Sequence, residues 1–255
     1  MTNYTVQFKH GDDVELEYND EKHTYMVKGK QVPAVTRIVD AVSPKSLTEW
    51  AAKAGADWWF KISNSDNYKD DVEMQAVVYD GIRFAHKEIS REAQNIGSDV
   101  HKWIELWIKF KINAGSAVAD YPYEVRTPME NFHKWVESRE VEWIASEKKV
   151  YSKFWNYAGT IDALAKINGE LYVIDFKTSA KIYKEYYLQV YGYAQAIHEM
   201  VNDESNKHYP KGMIVRLDKN EDKFQEVAFE CEPRVFHNAL SIKEFQSKRI
   251  KKLKI

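Results

Sequence analysis

Apolar and polar positions alternate with a period of two in three consecutive segments: 141–152 (VEWIASEKKVYS), 157–167 (YAGTIDALAKI) and 170–179 (ELYVIDFKTS). Alternation sends successive side chains to opposite faces of a sheet, so each segment predicts a strand. Asn168-Gly169 supplies the hairpin turn between the last two. On either side the period lengthens to that of a helix. Ile89, Ile96, Val100, Trp103, Ile104 and Trp107 recur on one side of a segment from Phe84 to Phe110. After a loop with Gly115 and Pro122, residues 127–140 predict a helix with Pro128 in its first turn, and 184–201 predict another. Two more strands at 211–218 and 224–230 and a helix from 233 to 253 close the chain. Before residue 84, positions 13–38 read as strands folded at a Lys-Gly-Lys turn. Pro44 follows them, and 46–61 then read as a helix capped by Ser46 or Thr48. Residues 65–82 are polar and ambiguous. The order of elements predicts a mixed α/β domain over 1–255, with 1–83 as a hairpin and helical extension and 84–255 as its core.

Composition narrows the class. A chain of 255 residues, 44% hydrophobic and 30% charged, can bury one sizeable core. No apolar run approaches the roughly 20 residues of a membrane span. The N-terminus has neither the basic-then-apolar layout of a secretory signal nor the Arg-rich character of a transit peptide, so a cytoplasmic setting is expected, in a bacterial cell or phage-infected host. Cys231 is the single cysteine. A disulfide framework and any zinc or iron–sulfur site built on several thiolates are thereby excluded, and Cys231 reads as a small half-buried residue near a strand end. Net charge is −2, which gives no global attraction to nucleic acid. Charge is instead local: 11–21 are acidic and the C-terminal SKRIKKLKI is basic, either as a solvated end or as a DNA contact.

The candidate chemistry concentrates between Tyr157 and Tyr193. Asp162 and Asp175 each interrupt an otherwise apolar strand, where aspartate is disfavoured. Counting back through the turn places Asp175 opposite a residue adjacent to Asp162. Two half-buried like charges are costly unless a cation lies between them, and oxygen ligands of this kind suit Mg²⁺ or Mn²⁺. Lys177 follows Asp175 by two and so shares its face, where an ammonium would help deprotonate a metal-activated water. A plain Asp–Lys surface pair is the alternative, disfavoured by the apolar setting of YVIDF. Gln189 and Tyr193, one helical turn apart, are placed to bind a phosphate or to orient Lys177, whereas Tyr186, Tyr187 and Tyr191 read as packing residues.

Upstream, Gly97, His101 and Glu105 form a stripe at the rim of an apolar helix face. From the helix alone, a rim histidine bonded to Glu105 is preferred over a metal ligand. Glu147 reads first as a solvated strand residue, with a part in holding metal or DNA as its alternative. His198-Glu199 begins like a zinc-protease motif, but Asn202 stands where the second histidine is required, and no glycine-rich phosphate loop is present.

Taken in order, G-S-D-V-H-K-W-I-E, G-T-I-D, V-I-D-F-K-T-S and Q-V-Y-G-Y resemble the RecB-like branch of the PD-(D/E)XK nucleases. The match runs from about Gly97 to Tyr193. Less specifically, HTYMVKGKQVPAVTRIVDAVSPKSLTEWAAKAG resembles the opening of stand-alone members, including phage exonucleases and the mitochondrial genome maintenance exonuclease. The resemblance implies a restriction-endonuclease-like core, a central mixed β-sheet flanked by helices. It also implies metal ligation by His101, Asp162, Asp175 and the Phe176 carbonyl, with Lys177 as catalytic lysine and Gln189 and Tyr193 in support. Glu105, Thr178 and Ser179 are further candidate substrate contacts. The four-cysteine iron–sulfur cluster of some members is excluded here, and Asp175 stands where many have glutamate.

The expected activity is metal-dependent hydrolysis of DNA, as an exonuclease on single-stranded ends in replication, recombination or end processing, with a single-strand-binding or recombination protein as a possible partner. Trp50, Trp58, Trp59, Trp103 and Trp107 are expected mostly in the core, with some available to stack on bases. The rivals are a structure-specific or restriction-type endonuclease and a non-catalytic DNA-binding protein that keeps the fold.

Overall fold

The computed structural model describes residues 1–43, 48–65, 72–113, 120–201 and 209–248. The chain divides into two compact units, Met1–Ser43 with Val100–Ile255, and Pro44–Asp99.

The first unit is built on a five-stranded sheet ordered β5-β6-β7-β8-β9, from Val141–Ser152, Tyr157–Ile167, Glu170–Lys177, Lys211–Leu217 and Phe224–Phe229. β7 and β8 are parallel and every other pair is antiparallel, so the sheet is mixed. The parallel step requires a crossover, which the helix α5 (Lys184–Val201) provides. A second, fully antiparallel sheet, β1-β2-β3-β4, comes from Thr2–Val6, Val14–Asn19, Thr24–Val27 and Lys30–Val32. β3 and β4 meet at Lys28 and Gly29, whose φ of 50° and 72° suit the tight hairpin expected of Lys-Gly-Lys. β1 was not foreseen, since its TNYTV is mostly polar. Residues expected to continue as strand instead form a short helix, α1 (Val35–Val39), because Val35, Ile38 and Val39 are buried at helical spacing.

Two layers cover the large sheet. α4 (Arg126–Glu137) lays Phe132 and Trp135 edge-on against Phe176 of β7, with ring centroids 5.5 and 5.7 Å apart. Strand alternation turns Asp175 and Lys177 to the other face. There α5, α1 and α6 (Pro233–Ser247) pack with the small sheet into one apolar cluster that includes Leu16, Val35, Tyr157, Ala194 and Phe236. The Ala158 N–H donates to the Pro33 carbonyl at 2.9 Å, fastening the entry of α1 to β6. The helix α3 (Val72–Lys111) begins 12 residues earlier than its apolar stripe suggested, and its portion from Val100 onward belongs to this unit. The position 83/84 lies inside it.

In the second unit, α2 (Thr48–Ser63) and the first part of α3 approach closely at glycines. A Cβ on Gly81 would lie 2.1 Å from the Trp58 ring, and one on Gly55 would lie 2.9 Å from the Ile82 carbonyl. The tryptophans are less buried than expected. Trp50 and Trp59 are each 37% exposed, and Trp58, Trp103 and Trp107 are half-buried. Thr48 is the first residue of α2, while the expected cap Ser46, Pro44, residues 66–71, the Gly115 loop and the basic tail beyond Lys248 lie outside the described residues. No helix among the described residues is long and apolar enough to cross a membrane.

Candidate active site

The β6–β7 hairpin sets the centre. Asn168 and Gly169 take φ of 53° and 80°, and Ile167 pairs directly with Glu170 across them. From there the ladder runs to Ala163↔Ile174. The same register carried one step past the ladder would set Asp162 against Asp175, where the count from sequence expects a neighbour of Asp162. At that step the strands exchange a side-chain bond: the Phe176 N–H donates to Asp162 Oδ2 at 2.8 Å.

β5 adds Glu147, for which the sequence puts solvation first and a part in holding metal or DNA second. Ser146↔Ala163 and Lys148↔Ile161 bracket Glu147, so Glu147 stands across from Asp162 on the same face. Its φ is 49°, a left-handed conformation inside a strand that costs about 1–2 kcal/mol for a residue with a Cβ. Such strain persists only where surrounding structure enforces it. The irregularity between Trp143 and Ala145 and the Ser146 hydroxyl bonded to the Asp162 carbonyl at 3.1 Å flank the strained position.

His101 arrives from α3 with Nδ1 3.4 Å from Asp162 Oδ2. One ligand atom from each of His101, Glu147 and Asp162 lies within 4.8 Å of the others. Glu105 does not bond His101; it takes Lys102 at 3.2 Å and Lys109. Asp175 is 1% exposed, and Lys177 Nζ approaches its two oxygens at 2.8 and 2.7 Å. Despite that contact, Asp175 Oδ2 accepts no well-aligned hydrogen bond among the described residues. Lys177 Nζ also lies 5.0 Å from the centre of the Tyr186 ring. From α5, Gln189 Nε2 donates to the Tyr193 hydroxyl at 3.0 Å. Gly159 makes room for Tyr193, since a Cβ there would come within 2.6 Å of the ring.

His101, Glu147, Asp162, Lys177, Gln189 and Tyr193 share one cavity of about 470 Å³. The cavity is also lined by Tyr18, His23 and Tyr25 of the small sheet and its turn, by Arg37 of α1, and by Lys149 and Thr160 of β5 and β6. A larger hollow of about 810 Å³ near Trp107, His133 and Trp143 shares no lining residue with this cavity and has no ligand cluster of this kind among the described residues.

Electrostatics pull the carboxylates apart. Burial, reinforced by Asp162, pushes Glu147 up to about 7. Burial likewise raises Asp175 to about 6, with Lys177 opposing. Burial would also raise Asp162, but His101, Lys177 and the Phe176 N–H outweigh it and hold this carboxyl below its ordinary value. For His101 and Lys177, burial disfavours charge, yet the facing aspartates raise both. The result is an ionised Asp162 among groups that compete for proton and charge, an arrangement that a bound cation would relieve.

Of the residues expected from sequence, His101, Asp162, Lys177, Gln189 and Tyr193 line the cavity. Asp175 lies behind Lys177, and Phe176 contributes its N–H beside Asp162 while its ring packs in the core. Glu105, Thr178 and Ser179 are not among the lining residues, and Ser179 Oγ donates to the Lys181 carbonyl at 2.8 Å. Glu199 of the rejected protease-like pair is structural: it accepts from Ser152 Oγ at 2.6 Å, the Phe154 N–H at 3.2 Å and Gln195 at 2.8 Å. Cys231 is half-buried just beyond β9, and burial pushes its thiol up to about 12.

No family model matches the chain, and no curated protein does. Among solved structures the chain is similar to SSO0001, at 17% identity and a TM-score of 0.37, over 88% of this chain and 80% of that one. What stands from the coordinates is a mixed α/β architecture, with a five-stranded mixed sheet and an antiparallel sheet flanked by helices.

Proposed function

We propose that the protein is a divalent-metal-dependent DNA nuclease of the PD-(D/E)XK type, acting as an exonuclease on single-stranded ends. One observation carries the reading: Asp162 accepts the Phe176 N–H next to Asp175 on the adjacent strand, Lys177 pairs with Asp175, and His101 and Glu147 close on Asp162.

The donor set fits a hard divalent ion. Two carboxylates and an imidazole converge, and Asp175 on the neighbouring strand is held by Lys177. His101, Glu147 and Asp162 would hold Mg²⁺ or Mn²⁺. When bound, such an ion supplies Lewis acidity to a phosphodiester and to the water that attacks it.

The remaining work falls to the chain's own groups. Lys177 stays protonated beside Asp175 and offsets the negative charge that gathers on the phosphate oxygens as the new O–P bond forms and the ester bond breaks. Asp175 fixes where that ammonium points. The Phe176 N–H holds one oxygen of Asp162, and so orients the carboxylate. Gln189 and Tyr193, joined to each other, support the same cavity.

The test is hydrolysis of end-labelled linear and covalently closed circular single-stranded DNA with Mg²⁺, Mn²⁺ or EDTA, using Lys177→Ala as the comparison. Metal-dependent loss of the linear strand alone, slowed at least about 100-fold in Lys177→Ala, is the expected result. Cleavage of the circle would move the assignment to an endonuclease. Equal rates in parent and variant would remove Lys177 from the mechanism.

A further inference from the structure

Lys149 lies on the same sheet face as the carboxylate centre, next to Glu147 on that face, and is not one of the candidate metal ligands. The register Lys149↔Thr160 puts it beside Thr160, two residues along β5 from Glu147, just as Thr160 is two along β6 from Asp162. Two residues of strand span roughly 6.6 Å, close to the separation of successive phosphates in an extended nucleic-acid strand. Both Lys149 and the carboxylate cluster line the single 470 Å³ cavity.

What holds Lys149 also leaves its charge available. Its Nζ sits 4.4 Å from the centre of the Tyr18 ring and 5.3 Å from that of Tyr4. Aromatic faces orient an ammonium without neutralising it, unlike a carboxylate. Among the described residues no carboxylate forms a close ion pair with Lys149, although Glu147, Asp20 and Glu105 act on its charge from further off. The aromatic support is itself fixed: Tyr18 bonds His23 Nδ1 through its hydroxyl at 2.7 Å, and its ring meets that of Tyr25 at 4.8 Å, while the Tyr25 hydroxyl pairs with Thr160 Oγ1 at 2.7 Å. The chain thus holds a lysine at a fixed place in the cavity wall, with its stem on a strand and its head against two rings. Arg37, on the same cavity, adds a second positive charge and is only loosely engaged, 3.9 Å from Asp40.

The geometry points to a phosphate subsite at Lys149 that takes the phosphodiester next to the scissile one in a single DNA strand. The inference rests on the nuclease reading of the adjoining centre and adds the substrate contact that registers the strand there. The small N-terminal sheet then has a functional part: its tyrosines set the position of a cation that belongs to the large sheet.

The salt dependence of binding tests this separately from cleavage. A short fluorescein-labelled oligothymidylate is titrated by anisotropy over a range of NaCl, with Ca²⁺ replacing Mg²⁺. The proteins are the parent, Lys149→Gln, Lys149→Met, Lys149→Arg and Lys148→Gln. Lys148 is the control because strand alternation turns it to the opposite face and it does not line the cavity. Loss of one phosphate contact should reduce the slope of log affinity against log salt by about 0.7 in the Gln and Met variants. Lys149→Arg and Lys148→Gln should keep the parental slope. Lys149→Met retains the apolar stem against Tyr18, so a folding defect in the Gln variant would not decide the matter. Unchanged slopes in both neutral variants, or an equal loss in Lys148→Gln, would overturn the subsite. If the parent fails to bind the oligonucleotide, the subsite and the nuclease reading both fall. The predicted slope change without cleavage under Mg²⁺ or Mn²⁺ would keep the subsite and overturn the nuclease reading alone.

Discussion

Replacing Glu147 with Gln should stabilise the metal-free protein and destabilise it relative to the parent once an ion is present. The backbone strain at φ 49° is common to both side chains, so the comparison isolates charge. Burial and Asp162 raise the Glu147 carboxyl from 4.5 to about 7. An acid with a raised folded pKa binds its proton more tightly when folded. The metal-free fold therefore suffers no penalty below the unfolded value, loses stability as pH rises from about 4.5 to about 7, and bears the full cost above that. At 1.36 kcal/mol per pH unit the cost is about 3 kcal/mol, and partial solvent contact reduces it to about 1–3 kcal/mol. Denaturant melts in EDTA should show Glu147→Gln more stable than the parent at pH 8, with the advantage vanishing near pH 4.5. With Mn²⁺ at about 100 times its Kd, the parent should gain about 2.7 kcal/mol. The variant, short of one ligand, should gain much less, so the order of stabilities narrows or reverses. A variant less stable than the parent in EDTA at pH 8 would refute the buried-charge reasoning. Equal Mn²⁺ stabilisation of the two proteins would remove Glu147 from the ligand set.

Two further perturbations separate packing from chemistry. Gly159→Ala introduces a Cβ within 2.6 Å of the Tyr193 ring and 3.2 Å of Val35 Cγ2, and should cost about 1–3 kcal/mol by urea melt while lowering nuclease activity through the displaced Tyr193. Unchanged activity would show that Tyr193 is not needed where it stands. Glu199→Ala leaves the Ser152 hydroxyl and Phe154 N–H without their acceptor and should cost about 1–3 kcal/mol, with the catalytic rate of the folded fraction unaltered. A selective loss of rate without loss of stability would give Glu199 a chemical part.

The strands and the helix around the site were legible because their patterns are strong and local. Segments 141–152, 157–167 and 184–201 form elements with those same bounds, since alternation and helical spacing are clear in each. The short helix α1 was misread because the β-branched residues of AVTRIV favour a strand on propensity alone, while tertiary burial of Val35, Ile38 and Val39 selects the helix. β1 escaped notice because only Val6 of its five residues is buried. The two-residue turn is as expected, with Ile167 paired to Glu170; the count along the strands was off by one, since that register carries Asp175 to Asp162. Asp162, Asp175 and Lys177 stood out as charges inside apolar strands. Glu147 stood out less, because the residues next to it, Ser146, Lys148 and Lys149, are polar and favour a solvated reading. Its place depends on an irregular strand and on a partner 15 residues away across the hairpin. The wall formed by Tyr18, His23 and Tyr25 depends on long-range packing, as in the Tyr25–Thr160 bond, and left no local trace.

The most direct test of the central claim is one Mn²⁺ titration read twice, by electron paramagnetic resonance for bound ion and by release of label from single-stranded DNA. The account predicts that binding and cleavage rise together to saturation in the parent and are both lost in Asp162→Asn. Cleavage that proceeds without bound Mn²⁺, or that survives in Asp162→Asn, would contradict it.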